Sequence, residues 1–227
     1  MKGYKYLAIS YYDEMIGAER EIAIILARLK KRYYREMKTS LGHSSPWELL
    51  VATMLSAQSQ DAQVNKVTPG LFRRYKDVGD FAHLKPSGLY PYVKTLGLYR
   101  NKSKNIVSAA RYIRNNFNGA VPRTMEGMLK LPGVGRKTAN VVMANAFGLN
   151  EGIAIDTHCI TVANRLFLYN TKMPDKIEAR LMKIVPRSER GNITHLFIAL
   201  GRDVCTARNK YCERCVLNDV CPSSAVR

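Results

Sequence analysis

Apolar residues along this chain recur at helical spacing, and no stretch alternates over several positions as a half-buried strand would. From Glu19 to about Met37, Ile22, Ile25, Leu26, Leu29 and Tyr33 fall on one helical face, with arginines and lysines on the other. The stretch SSPWELLVATMLSAQ opens with a start signal: Ser45 as N-cap, Pro46 at the first helical position and Glu48 to complete a capping box. Leu49, Leu50, Met54 and Leu55 then form an apolar face, and Gln58 follows near the helix end. KSKNIVSAARYIRNNF is a further amphipathic helix, stopped by Asn118-Gly119. Thr138 to Phe147 is helical and unusually apolar, with Gly148 at the position after its end. DTHCITVANRLFLY and PDKIEARLMKIVP give two more helices, the second capped by Asp175. The pattern predicts an all-α chain whose core runs from about residue 19 to 222, with residues 1–18 as a loosely ordered extension. No repeat, low-complexity segment or evident linker interrupts it.

A length of 227 residues suits one or two domains, and 46% apolar residues suffice for a sizeable core. The charge changes the picture. Lysine and arginine number 36 against 18 acidic residues, a net charge of +18. Either the partner is a polyanion, nucleic acid before anionic membrane, or the background is simply basic. No run of about 20 apolar residues is present to span a membrane. The first fifteen residues lack the apolar core of a signal peptide, so an intracellular, cytoplasmic location is expected. Five cysteines are few for a disulfide framework, and four of them crowd between Cys205 and Cys221, as metal ligands do.

The segment LPGVGRKTA, from Leu131, has the composition of a phosphate-gripping loop. It does not fit a nucleotide-binding loop, which needs four residues between its glycines and a lysine directly after the second. Here one residue separates Gly133 from Gly135, and Arg136 precedes Lys137. The preceding TMEGMLKL also looks helical rather than extended. The remaining reading is a tight turn between two helices, closed by Pro132, with Gly133 and Gly135 free to take positive φ or to admit a close neighbour. The free N–H groups from Gly133 through Val134 to Arg136 then point outward with the positive end of the helix dipole and hold one backbone phosphate. A purely structural turn of the same shape is the alternative.

Lys137 lies on the first turn of that second helix, where the dipole and burial both favour the neutral amine, a nucleophile able to form a Schiff base with a sugar C1′. A solvated lysine on phosphate explains the same residue, and on its own explains it better. Asp156 follows the apolar run Ile153 to Ile155 and precedes a helix. It is either a plain N-cap or a carboxylate positioned to take a proton from Lys137 and to stabilise an oxocarbenium-like sugar. Taken alone it reads as the cap, and His158 reads as structural.

Cys205, Cys212, Cys215 and Cys221 are spaced C-x6-C-x2-C-x5-C. Structural zinc usually takes two close pairs across a longer loop, whereas four thiolates also form the ligand set of an iron–sulfur cluster. Spacing leaves both open. The loop between the first two cysteines carries Arg208 and Lys210, placed to face a phosphate backbone. Cys159, on an apolar helix, reads as a buried small residue.

Taken in order, SPWELLVATMLSAQSQDAQVNK, KTLGLYRNKSKNI, LPGVGRKTANVV, AIDTHCITVANR and the four-cysteine tail resemble the endonuclease III family, the iron–sulfur DNA glycosylase/lyases of the helix-hairpin-helix superfamily. The resemblance covers about residues 19 to 222 and departs mainly in residues 1–18. It implies two helical domains around a DNA-binding cleft: a six-helix barrel over 39–150 carrying the hairpin, and a cluster domain joining 19–38 to 151–227. It implies Lys137 as the Schiff-base lysine, Asp156 as the catalytic aspartate and a 4Fe–4S cluster on the four cysteines. It implies that Gln58 fills the hole left by a flipped nucleotide and that Leu98, with Leu96, wedges into the stack. The family's adenine glycosylases lack a lysine at this position, so Lys137 implies the bifunctional branch. That branch removes oxidised or ring-saturated pyrimidines from duplex DNA and nicks the strand by β-elimination, here as a monomer on the nucleoid. Two other classes explain less. A non-catalytic DNA-binding module needs neither Lys137 nor Asp156, and an electron-transfer iron–sulfur protein needs neither the hairpin nor the charge.

Overall fold

The computed structural model describes the backbone of residues 3–167 and 169–226, and the side chains of residues 17–35, 37–167 and 169–226. Among the described residues there is no strand, only an isolated bridge between Cys205 and Lys210, so the all-α expectation holds. The helices are α1 (Gly3–Tyr33), α2 (Pro46–Ser56), α3 (Asp61–Arg74), α4 (Val78–His83), α5 (Tyr90–Val93), α6 (Tyr99–Asn116), α7 (Met125–Leu129), α8 (Arg136–Phe147), α9 (Thr157–Phe167), α10 (Pro174–Ile184) and α11 (Arg190–Asp203). None is long and apolar enough to cross a membrane.

Helix α1 corrects the expected extension. It begins at Gly3, so from that residue onward the segment 1–18 is the first half of one helix. Residues 1 and 2 lie outside the described residues. No proline falls between Gly3 and Tyr33, so nothing in the backbone forces a stop before the amphipathic half begins.

The chain divides into two units, Thr39–Glu151 and Met1–Lys38 with Gly152–Arg227. The first unit is built from α2 to α8. Its core includes Trp47, Leu50, Leu55, Phe81, Ile106, Ile113 and Met143, with Trp47 and Phe81 meeting edge to face at 5.2 Å. Helix α2 starts as its sequence dictates. The Ser45 hydroxyl accepts the Glu48 N–H at 3.2 Å. The Glu48 carboxylate, however, reaches one residue further back than a regular capping box, accepting from the N–H and hydroxyl of Ser44 at 2.6 Å. Arg111 of α6 donates to the carbonyls of Ala82 and Leu84 at 3.0 and 2.7 Å, satisfying the open end of α4.

The second unit packs α1 against α10 and α11, and α9 against α11. Ile22, Ile25, Leu29, Val162, Leu181, Phe197, Leu200 and Leu217 are buried there. Gly201 lets α9 and α11 approach closely, because a Cβ at that position would stand 2.9 Å from that of His158. At the end of α1, Tyr33 donates its hydroxyl to Asp203 at 2.9 Å and Arg32 pairs with the same carboxylate at 3.3 Å. Arg28 grips Asp219 with its two terminal guanidinium nitrogens, tying α1 to the C-terminal segment.

Candidate nucleic-acid interface and cysteine site

The segment from α7 to α8 is a helical hairpin. Thr124 caps α7, accepting the Gly127 N–H at 3.2 Å, and the chain reverses through Leu131 to Gly135. Gly133 has φ +77°, and an added Cβ there would stand 2.7 Å from Asn105 of α6. Both the backbone and the neighbour therefore demand glycine. Gly135 differs: it is the N-cap of α8 with φ −95°, and its missing Cβ faces open space. Neither its backbone nor a neighbour demands glycine there. Val134 is also not the open amide the sequence suggested. Its side chain is 7% exposed and its N–H donates to the Leu131 carbonyl at 3.1 Å. The donors left to face outward are those at the start of α8, where the first turn has no intrahelical acceptors. Arg136 and Lys137 stand exposed on that turn. The burial expected of Lys137 is not supplied by the chain itself.

Two loops of the same unit carry the other expected contacts. Gln58, just past α2, and Leu98, the N-cap of α6, both adopt left-handed backbone, with φ +55° and +57°. They are exposed, Leu98 by 59%. The loops lie side by side, since a Cβ on Gly97 would meet the Gln58 carbonyl at 3.8 Å. Leu96 is a correction: it is 3% exposed and packed in the core, because the left-handed turn at Leu98 leaves only the later leucine outside. Sequence reasoning overlooked Lys102, which is 6% exposed. Its N–H donates to the Leu98 carbonyl at 3.0 Å and its ammonium to the Ser59 hydroxyl at 2.8 Å. No spacing in the sequence marks this residue.

Asp156 belongs to the other unit, at the end of the buried run Ile153 to Ile155. Buried Glu178 accepts the Ile153 N–H at 3.1 Å, and Thr194 donates to the Ala154 carbonyl at 3.1 Å, so the approach to Asp156 is held on both sides. Asp156 Oδ1 accepts the Cys159 N–H at 2.8 Å as the cap of α9. Asp156 is half-buried. Capping occupies one oxygen, and a carboxylate has a second.

Cys205, Cys212, Cys215 and Cys221 are free thiols that line one cavity of about 310 Å³, its open mouth included. Burial pushes the Cys215 thiol up from its ordinary value. The Leu217 backbone opposes this, and the other three cysteines push it further. Four cysteine sulfurs around one cavity form a donor set for a metal centre. No three His, Cys, Asp or Glu side chains among the described residues close on a single ion. Zinc would draw all four sulfurs to about 2.3 Å of one point. Four cysteines are also the ligand number of an iron–sulfur cluster. Arg165 of α9 clamps the site, donating to Cys205 Sγ at 3.2 Å and to the carbonyls of Thr206 and Ala207 at 2.8 and 3.3 Å. In the loop between the first two cysteines Arg208 and Lys210 are both exposed, and Lys210 also donates to the Ser223 carbonyl at 2.9 Å.

The family model described as HhH-GPD superfamily base excision DNA repair protein matches residues 51–187. The chain is 45% identical to endonuclease III of Synechocystis sp. over 92% of its own length and 95% of that protein. It is 40% identical to endonuclease III of Escherichia coli over 87% and 92%. Its fold superposes on a trapped endonuclease III–DNA covalent intermediate, an estranged-adenine complex, with a TM-score of 0.83 and 39% identity, covering 90% of this chain and 96% of the other. The family match spans more than half of the chain and the identity to these relatives extends over most of it, so the chain belongs to the endonuclease III family of base excision DNA repair proteins.

Proposed function

We propose that the chain excises oxidised or ring-saturated pyrimidines from duplex DNA and then nicks the strand, with Lys137 as nucleophile and Asp156 as its carboxylate partner. The observation that carries this reading is the position of Lys137, exposed on the first turn of α8 two residues after Gly135. A phosphate held at that helix start brings the neighbouring sugar within reach of the same turn.

The steps follow from the residues. The net charge of +18 draws the protein to DNA. The start of α8 fixes one phosphate without reading a base. Gln58 and Leu98 enter the stack as the damaged nucleotide turns out, a motion that costs least for poorly stacked bases. The amine attacks C1′ and the base leaves with the electron pair of the glycosidic bond. The free oxygen of Asp156 takes the proton and stabilises developing positive charge on the sugar. The C1′–O4′ bond then opens, with O4′ taking a proton, to give an imine; this acidifies C2′, so loss of that proton expels the 3′ phosphate, and hydrolysis returns the lysine.

The four cysteines fit a 4Fe–4S cluster, which would close the segment from Val204 to Cys221 around one centre and hold Arg208 toward the DNA backbone. The same charge and hairpin suit a monomer working on the nucleoid. The test is borohydride trapping on duplex DNA containing thymine glycol. Wild type is expected to cross-link and Lys137→Ala is not. Trapping that persists in Lys137→Ala removes the lysine from this role.

A further inference from the structure

One stripe of helix α6 meets the loop after α2 and the hairpin before α8. Leu98 stands at its N-cap, Lys102 one turn later and Asn105 at the next, a spacing that keeps all three on one face. Asn105 packs over Gly133 of the hairpin. Lys102 closes the first backbone turn of α6 on the Leu98 carbonyl, and its ammonium reaches across to the Ser59 hydroxyl beside Gln58. A second strut runs beside it, from the Gln63 side chain to the Thr95 hydroxyl at 3.3 Å. The strut has something to hold. Left-handed backbone in a residue with a Cβ is strained and survives only where its surroundings enforce it, and Gln58 and Leu98 are both in that state.

We infer that Lys102 is a positioning residue that locks the Gln58 and Leu98 loops together through Ser59, so that both side chains enter the stack as one preformed unit. A lysine buried this deeply is costly unless its ammonium finds an acceptor. The Ser59 hydroxyl is that acceptor. Burial also lowers the affinity of Lys102 for its proton. The inference rests on the reading of Gln58 and Leu98 as stack-filling residues.

Ser59→Ala removes the acceptor from a half-exposed position, while Ser59→Thr keeps the hydroxyl. Each is compared with Gln58→Ala and Leu98→Ala in holoprotein of wild-type circular dichroism. One readout is single-turnover excision from duplex DNA containing thymine glycol. The second is the fluorescence of 2-aminopurine placed opposite the lesion. The third is borohydride trapping on a single-stranded abasic oligonucleotide, which has no stack to fill. Removing a hydrogen bond to a charged group is expected to slow duplex excision by about tenfold in Ser59→Ala. The 2-aminopurine signal should fall, single-strand trapping should be unchanged, and Ser59→Thr should restore all readouts. Lys102→Met combined with Ser59→Ala should be no slower than the slower single variant. If Gln58→Ala and Leu98→Ala slow duplex excision while Ser59→Ala does not, the positioning role is overturned and the stack-filling role stands. If Gln58→Ala and Leu98→Ala leave duplex excision intact, both are overturned. An equal loss on duplex and single-stranded substrates in Ser59→Ala also overturns the positioning role.

Discussion

The side chain of Asn105 occupies the space that a Cβ on Gly133 would need, with its own Cβ 2.7 Å from that position. Helix α6 thus sets the shape of a turn that begins nearly thirty residues later in the chain. Gly133→Ala is expected to cost about 2 kcal/mol or more, from left-handed strain and from the collision together. Asn105→Ala should not rescue it, because alanine keeps the colliding Cβ. Urea denaturation of the single and double variants measures this, and full rescue would show that the amide group alone was the obstacle.

Asp156 serves α9 with one oxygen and, on the proposed chemistry, the sugar with the other. The two roles separate by substitution. Asparagine caps as well as aspartate, so Asp156→Asn should hold wild-type stability, whereas Asp156→Ala should lose about 1 kcal/mol. Both should slow excision by about a hundredfold or more. Chemical denaturation set beside single-turnover rates reads the two effects. Wild-type excision by Asp156→Asn would leave the residue as a cap only.

Arg208 and Lys210 are both exposed, but Lys210 already donates to Ser223. If phosphate contact follows availability, Arg208→Ala should make the slope of log binding constant against log salt shallower by about 1. Lys210→Ala should leave that slope near wild type and instead loosen the cysteine loop. Titration of fluorescent duplex DNA over a salt series distinguishes them.

Arg165 holds Cys205, Thr206 and Ala207 in one grip. Arg165→Met keeps much of the stem and removes all three bonds. Iron should then leave faster under chelator challenge, and the melting temperature of the holoprotein should fall. Iron retention equal to wild type would mean that the cysteines need no such clamp.

His195, on α11, is held by burial below its ordinary value of 6.5. The unfolded chain therefore binds the proton more readily than the folded one. Stability is present above pH 6.5 and declines as pH falls from there through the lower folded value. His195→Gln should flatten that decline, seen as a smaller change in denaturation midpoint between pH about 7 and 5. An unchanged decline would assign the acid sensitivity to other groups.

The sequence by itself determined what local chemistry can determine. Ser45, Pro46 and Glu48 start α2, and Gly148 ends α8, because caps act on neighbouring backbone groups. The apolar face of α1 reads directly from its spacing, and all five of its marked residues are buried. The four cysteines declare a shared site within one short segment. Helices α3 and α11 were less legible, since Pro69 and Gly70 break the pattern of one, and Gly191 and Gly201 weaken the other. Tertiary structure decided which of two nearby leucines faces outward, because Leu96 and Leu98 differ only in what packs on them. It decided that Val134 is core and that Gly135, not Gly133, is the glycine left open. It alone brought Lys102 to Ser59, Asn105 to Gly133 and Arg165 to Cys205. Such pairings join residues tens of positions apart, and their energies come from burial and hydrogen-bond geometry, which no local pattern records.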